Sequence, residues 1–196
     1  GAHGPCSAAW WINGTAAQAL DYADGTRRLR GHGSTGLGPA ILAESEVRGA
    51  SFQDMLVAYT AGYEIWAELV RRDVPMYHQK GFHPTGVFGA LAAAAACAKL
   101  RKLDADRTAI AIAISASQAS GIMSNFGTMT KPFHAGKAAH SGIISARLAG
   151  AGMTAGRDAL EPPKGVRSAV SPQNNPDRTG DHSPGEAWGA SRPGRN

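Results

Sequence analysis

The chain has 196 residues, 43% of them hydrophobic and 18% charged, which is enough for one globular core but short for two. Its formal net charge of +5 would suit nucleic acid, an anionic membrane or an anionic substrate. The local basic cluster of Arg27, Arg28 and Arg30 has no interleaved aromatic residues, which argues against nucleic acid. Cys6 and Cys97 form no disulfide or metal-binding pattern and favour a reducing compartment.

The sequence carries no targeting or membrane-spanning signal. No signal-peptide pattern is present, and because the chain opens at Gly1 without an initiator Met, we expect a preceding segment. The apolar run from Val87 to Ala98 is too short and too rich in alanine to span a bilayer. These features predict a cytoplasmic protein that binds neither a membrane nor nucleic acid.

Hydrophobic periodicity predicts six helices in chain order. Ser51 and Asp54 have the capping-box spacing and precede the clearest of these helices. Pro84 and Pro132 can each occupy the first turn of a later helix. Residues 109–115 alternate as a strand would, but the run continues to Ile122, and its length and alanine content favour a buried helix. The predicted helices cover residues 8–23, 36–47, 52–70, 87–100, 109–122 and 134–150.

This succession of helices with glycine-bearing links and no convincing strand predicts an all-α, multi-helix domain. We expect residues 1–165 to form that domain. From Ser171 onward the chain is rich in Pro, Gly, Asn, Asp, Ser and Arg, so residues 166–196 are expected to form a disordered or divergent tail.

Two segments, Gly81–Gly86 and Lys131–Gly136, place a histidine or a lysine beside a predicted helix start. Free N–H groups and the positive end of the helix dipole at such a start favour a bound carboxylate or phosphate. The same field disfavours imidazolium, so it should keep His83 and His134 neutral and able to remove a proton. For either segment taken alone, the alternative explanation is that its polar residues only cap a helix and its glycines only permit close packing.

A third segment ends one helix and enters a polar, glycine-rich loop that holds an acid, a hydroxyl and an imidazole, namely Asp21, Thr26 and His32. Loops between helices often carry catalytic groups, although a solvated surface loop is the commoner outcome. The histidines and Asp21 do not have a helical metal-ligand spacing such as HExxH, so we expect no metal site.

Four segments, in this order, resemble successive sequence blocks of the MmgE/PrpD family: Asn13–Tyr22, Gly62–Glu64, Gly81–Gly86 and Lys131–Ala139. The resemblance implies a large helical domain, which this chain would carry, and a following α/β lid domain, which it would lack, assembled as a homodimer. It also implies proton abstraction beside a carboxylate of a small polycarboxylate, with no metal or organic cofactor. Members of the family include 2-methylcitrate dehydratase, cis-aconitate decarboxylase and an iminodisuccinate epimerase.

By position in these blocks, the resemblance implies that five residues are catalytic: Asp21, His32, His83, Lys131 and His134. Thr26, Lys131 and His83 would contact the substrate. Gln18 departs from the family pattern, because many members have histidine there.

The expected activity has several alternatives. Dehydration of the 2-methylcitrate type is the first expectation, and decarboxylation or epimerisation on the same scaffold is the alternative. A catalytically silent, truncated helical remnant is the alternative from another class. If the chain forms a site, four side chains should line one pocket: Asp21, His83, Lys131 and His134.

Overall fold

The computed structural model describes residues 6–72, 77–161 and 163–170, and these ranges contain seven α-helices and no strand. The all-α prediction is confirmed. Two short 3-10 helices lie at Tyr77–Lys80 and Met123–Asn125. The α-helices are α1 (Cys6–Gln18), α2 (Gly33–Arg48), α3 (Phe52–Arg71), α4 (Pro84–Leu100), α5 (Ala105–Ala116), α6 (Thr130–Gly150) and α7 (Val166–Val170).

Several helix starts follow local signals in the sequence. The Ser51 side chain accepts the N–H of Asp54, and the Asp54 carboxylate accepts the N–H of Ser51, which is the predicted capping box of α3. Pro84 is the first residue of α4, and Pro132 lies in the first turn of α6, where the N–H that proline lacks would have no helical partner. Asp104 supplies the N-cap of α5.

Helix α4 is the centre of the domain, and its residues from Pro84 to Ala98 are all buried. Helices α2, α3, α5 and α6 pack around it. A helix in that position must be apolar on every side, which explains the long alanine-rich run. No helix within the described ranges is both long enough and apolar enough to cross a membrane.

Helices α1 and α6 cross at two glycines. A Cβ atom on Gly136 would lie 2.3 Å from the carbonyl oxygen of Trp11, and one on Gly14 would lie 2.7 Å from Cα of Gly136. Only glycine therefore permits this close approach. The crossing brings the loop that follows α1 beside the first turn of α6.

Two predicted helix ends lie five or more residues beyond the ends in the structure. Helix α1 ends at Gln18 rather than at residue 23, because Asp21 adopts a left-handed backbone conformation, with φ of 57°, that turns the chain away from the helix axis. Helix α5 ends at Ala116 rather than at residue 122. The chain leaves the helix there, and Ile122 pairs with Phe82 in an isolated β-bridge.

The segment predicted as a tail begins with the short helix α7. Arg167 of this helix donates to the backbone carbonyl oxygen of Arg72 at 2.9 Å, which ties α7 to the end of α3. The rest of the predicted tail, residues 171–196, lies outside the described residues. The domain end at residue 165 stays a prediction.

Candidate active site

Three helix starts and one loop meet at one end of the bundle and carry the residues predicted from the sequence. His32 immediately precedes α2, and His83 immediately precedes α4. The backbone N–H of His32 donates to Oγ1 of Thr85 at 3.3 Å, which joins these two helix starts. Lys131 lies in the first turn of α6, and Asp21 lies in the loop after α1.

Asp21 occupies the open part of the site. Its Oδ2 accepts a hydrogen bond from Nζ of Lys131 at 2.7 Å, and its Oδ1 lies 3.6 Å from Nε2 of His32. Gln18, which is almost fully buried, donates from Nε2 to the same Oδ1 at 2.5 Å. The hydrogen bond from Lys131 is the main cause that lowers the pKa of Asp21, so this carboxyl group is ionised at neutral pH.

The ring of His32 is oriented at both nitrogens. Nδ1 lies 3.2 Å from the carbonyl oxygen of Asp24, so this nitrogen carries a hydrogen and donates it. Nε2 then faces Asp21, and this contact is attractive when Nε2 is protonated as well. His32 is thus held between the carbonyl oxygen of Asp24 and the carboxylate of Asp21.

His83 and His134 form a buried pair. Their Nδ1 atoms are 3.0 Å apart, and only 3% of His83 and 6% of His134 is exposed to solvent. Burial is the main cause that lowers the pKa of His83 to about 3, and the charges of His134 and Lys131 contribute to this shift. Burial also lowers the pKa of His134. Both rings are therefore neutral at pH 7, but burial rather than the field of the helix is the first cause.

Phe126 connects this pair with the Asp21 group. Its ring packs edge-on against the ring of His83, with centroids 4.8 Å apart. Nζ of Lys131 lies 5.3 Å from the centroid of the same ring. The structure therefore brings the five residues that were expected to be catalytic into one continuous set of contacts: Asp21, His32, His83, Lys131 and His134.

Thr26 is placed differently from these five residues. Its Oγ1 accepts the backbone N–H of Leu29 at 3.2 Å and the hydroxyl hydrogen of Tyr63 at 3.3 Å. Thr26 also pairs with Gly31 in an isolated β-bridge. These contacts stabilise the turn that leads into α2, so a contact between Thr26 and substrate stays a prediction.

Sequence reasoning does not single out three residues that shape the site. Thr85 holds the backbone of His32, Phe126 joins the two groups, and Gly121 accepts the backbone N–H of the residue before α4 at 2.9 Å. Thr85 could have been noticed, because it belongs to the block at residues 81–86. Phe126 and Gly121 carry no local signal, since their roles depend on segments that are distant in the sequence.

Among the residues that the structure describes, no group of three or more His, Cys, Asp or Glu side chains could hold a metal ion. Activity without a metal or an organic cofactor stays a prediction.

The model of one protein family, the MmgE/PrpD N-terminal domain, matches residues 2–179. The chain belongs to the MmgE/PrpD family. It is 35% identical over 166 residues to the cis-aconitate decarboxylase of Homo sapiens, which is 80% of this chain and 34% of that protein. Identity to the cis-aconitate decarboxylase of Mus musculus is 32% over 166 residues, 80% of this chain and 33% of that protein.

A fungal relative extends this MmgE/PrpD comparison. The cis-aconitate decarboxylase of Aspergillus terreus is 32% identical over 168 residues, which is 81% of this chain and 34% of that protein. The chain therefore spans about a third of the length of these relatives. The resemblance to the MmgE/PrpD family that the four sequence blocks carry is confirmed, and the relatives named here are lyases by name.

Proposed function

We propose that this chain supplies the helical side of a lyase site for a small polycarboxylate. The observation that carries the proposal is the position of Nζ of Lys131, between the Asp21 carboxylate and the ring of Phe126, beside the neutral His83–His134 pair. An ammonium group has three hydrogens, so two remain for a substrate carboxylate when one is donated to Asp21. A neutral imidazole close to that carboxylate can exchange a proton with the adjacent carbon.

The site contains two proton carriers in different surroundings. His83 is buried and neutral, so one of its ring nitrogens is bare and can accept a proton. His32 instead lies beside the ionised Asp21, at the open part of the site. The two histidines can therefore serve opposite ends of a proton transfer.

Decarboxylation of cis-aconitate is the reaction we place first, because the relatives named above are cis-aconitate decarboxylases. Loss of carbon dioxide breaks the bond between a carboxylate carbon and the carbon skeleton, and the electron pair stays on the skeleton. A proton must then be delivered to a skeleton carbon. We assign this delivery to His32 and the binding of a remaining carboxylate to Lys131.

Dehydration of 2-methylcitrate, the first expectation from the sequence, is the second candidate. It needs a base that removes a proton beside a carboxylate and an acid that protonates the departing hydroxyl group. The separate settings of His83 and His32 favour this candidate, because they provide one group for each role. Epimerisation, which removes and returns a proton at one carbon, remains the alternative on the same scaffold.

The test is to incubate the purified 196-residue chain with cis-aconitate, 2-methylcitrate and citrate, and to follow binding by calorimetry and products by proton NMR. Lys131→Met removes the proposed carboxylate contact, and Lys99→Met, an exposed lysine near the end of α4, is the matched control. We expect binding that Lys131→Met weakens and Lys99→Met leaves unchanged. Turnover should be slow, because 53% of the Asp21 side chain is exposed and water reaches this side of the site.

The products decide between the alternatives. Release of carbon dioxide from cis-aconitate supports decarboxylation, and loss of water from 2-methylcitrate supports dehydration. Specific binding without any turnover supports the silent remnant. Equal binding by the unmodified chain and by Lys131→Met would contradict the proposed site.

We further propose that the protein is a homodimer located in the cytoplasm. Exposed apolar side chains near the site support a surface that a partner covers, among them Leu20, Tyr22, Ile122 and Met129. Sedimentation velocity over a wide range of concentrations tests the dimer, and a monomer at every concentration would contradict it.

A further inference from the structure

The ring of His83 is not used to cap the helix that it precedes. His83 is the N-cap residue of α4, with extended backbone angles, but its side chain makes no capping hydrogen bond. Its Nδ1 instead lies 3.0 Å from Nδ1 of His134, a residue 51 positions later in the chain. Since histidine is a poor substitute for the serine or aspartate that usually caps a helix, this pairing requires a reason other than helix capping.

Two neutral imidazoles that meet at their Nδ1 atoms cannot have the same tautomer. One Nδ1 must carry the hydrogen that the other accepts, so one ring is protonated at Nδ1 and its partner at Nε2. An identical tautomer on both rings would leave two hydrogens or two lone pairs facing each other. Because both rings are buried, that arrangement would be costly and water could not relieve it.

We propose that His134 is a positioning residue whose Nδ1 accepts the hydrogen of Nδ1 of His83, which leaves Nε2 of His83 bare as the atom that takes a proton from substrate. The substrate part of this assignment rests on the proposed function, whereas the tautomer assignment does not. Lys131 supports the direction of the hydrogen bond, because its charge disfavours a cation on His83 and is not among the causes that act on His134. A proton taken up by the pair is therefore held better on His134, which requires His134 to be the acceptor.

The proton balance of this pair is simple. When Nε2 of His83 takes a proton, the hydrogen on its Nδ1 can pass to Nδ1 of His134. The positive charge then lies on His134, whose lowered pKa does not have the Lys131 charge among its causes, and His83 is left neutral with its hydrogen on Nε2. The pair therefore takes up one proton in total, and a second would place two cations side by side in a buried space.

The loop after α5 is shaped around this pair. Gly121 has φ of 137°, which side chains rarely permit, and its carbonyl oxygen accepts the backbone N–H of His83 at 2.9 Å. A Cβ atom on Gly121 would lie 3.2 Å from Cγ of His134 and 3.3 Å from its Nδ1. The absence of a side chain at this position thus lets one residue hold the His83 backbone while the His134 ring lies against it.

The experiment is a long-range nitrogen–proton NMR spectrum of the 196-residue chain with labelled histidine, recorded at pH 7.5, which reports the hydrogen on each ring nitrogen. The variants are His134→Phe, which removes the acceptor, and His134→Asn, whose amide oxygen can replace Nδ1. His140→Phe is the matched control, because His140 lies on the same helix but stacks on Trp10. Circular dichroism of every variant checks that the helices are intact.

We expect His83 to carry its hydrogen on Nδ1 and His134 to carry its hydrogen on Nε2. His134→Phe should move the His83 hydrogen to Nε2, the tautomer that free imidazole side chains favour, and His134→Asn and His140→Phe should leave it on Nδ1. If both rings carry hydrogen on Nε2, or if His134 is the ring protonated at Nδ1, the proposal is wrong. Because the spectrum needs no substrate, a chain without lyase activity could still show the pair, and an active chain could lack it.

Discussion

The carboxylates of Glu44 and Asp21 are each held by two basic groups, yet their surroundings are opposite. Glu44 of α2 is completely buried between two arginines, Arg101 at the end of α4 and Arg147 of α6. Asp21 has 53% of its side chain exposed and is held by a lysine and a histidine. The same charge is thus enclosed at one place and accessible at the other.

The difference in exposure distinguishes the Glu44 ion pairs, which serve the fold, from the Asp21 ion pairs, which can take part in substrate binding and proton transfer. Arginine stays protonated and holds a carboxylate in a fixed planar geometry; Arg147 also lies over the ring of Trp10, 4.8 Å from its centroid. Removing any member of the Glu44 cluster would leave a buried charge without its partner. The cluster therefore holds α2, α4 and α6 together. At Asp21, the lysine and the histidine are partly exposed, so solvent or substrate can reach them and they can change partner.

The largest expected effect is on stability, from Glu44→Gln. Removing one member of a buried ion pair leaves the others uncompensated and costs about 3–5 kcal/mol. Chemical denaturation should show a free energy of unfolding lowered by about that amount, whereas the control Glu46→Gln, at an exposed position of the same helix, should change little. Asp21→Asn should cost less than about 1 kcal/mol, because its ion pairs are partly solvated. If Glu44→Gln and Asp21→Asn lowered the free energy of unfolding equally, the distinction between the two carboxylates would be wrong.

The next largest effect is on substrate binding, and it tests the accessible group formed by Asp21, His32 and Lys131. A hydrogen bond between charged groups contributes about 1.5–3 kcal/mol, so Lys131→Met should weaken binding of cis-aconitate by about ten- to a hundredfold. Its free energy of unfolding should stay within about 1 kcal/mol of the unmodified chain. Calorimetric titration measures the first quantity and denaturation the second. A variant that loses stability and binding together would show that Lys131 serves the fold, as the arginines of Glu44 do.

Lowering the pH should weaken the fold through the buried histidines. The pKa of His83 is about 3 in the folded chain against 6.5 for an unperturbed histidine, so the unfolded chain binds more protons between these values. The stabilising contribution is complete above pH 6.5 and is lost as the pH falls toward 3. The free energy of unfolding should fall by at most about 1.4 kcal/mol per pH unit for this residue.

Denaturation at steps from pH 7.5 to pH 5 checks this prediction. The window lies above the range of Glu68, whose pKa is lowered to about 2 mainly by its hydrogen bond with Arg71. His83→Asn should show a shallower decline than the unmodified chain, because it lacks the titrating ring. Parallel curves for the two proteins would mean that His83 is not held neutral by burial.

Local chemistry accounts for the parts of this structure that the sequence could predict. Helix α3 begins after Ser51 because Ser51 and Asp54, three residues apart, form a capping box. Helix α4 begins at Pro84 because the proline ring fits the first turn of a helix. The arginines of Glu44 lie 57 and 103 residues away from it, and His83 lies 51 residues from His134. Their place beside predicted helix starts made His83 and His134 candidates, but nothing local in the sequence marked Glu44 or its arginines. The packing of distant helices decides which of these pairs form.

The smallest expected effect concerns Phe126, whose ring touches both Lys131 and His83. A cation beside a partly exposed aromatic face gains about 0.5–1 kcal/mol, so Phe126→Leu should weaken cis-aconitate binding by about two- to fivefold. Phe133→Leu is a fitting control, because Phe133 is similarly exposed but packs against Trp11 instead. The ammonium would keep its hydrogen bond with Asp21 in Phe126→Leu, which is why the loss should stay well below that of Lys131→Met. Calorimetry on the two leucine variants measures the difference, and equal affinities would show that Phe126 only fills space beside the histidine pair.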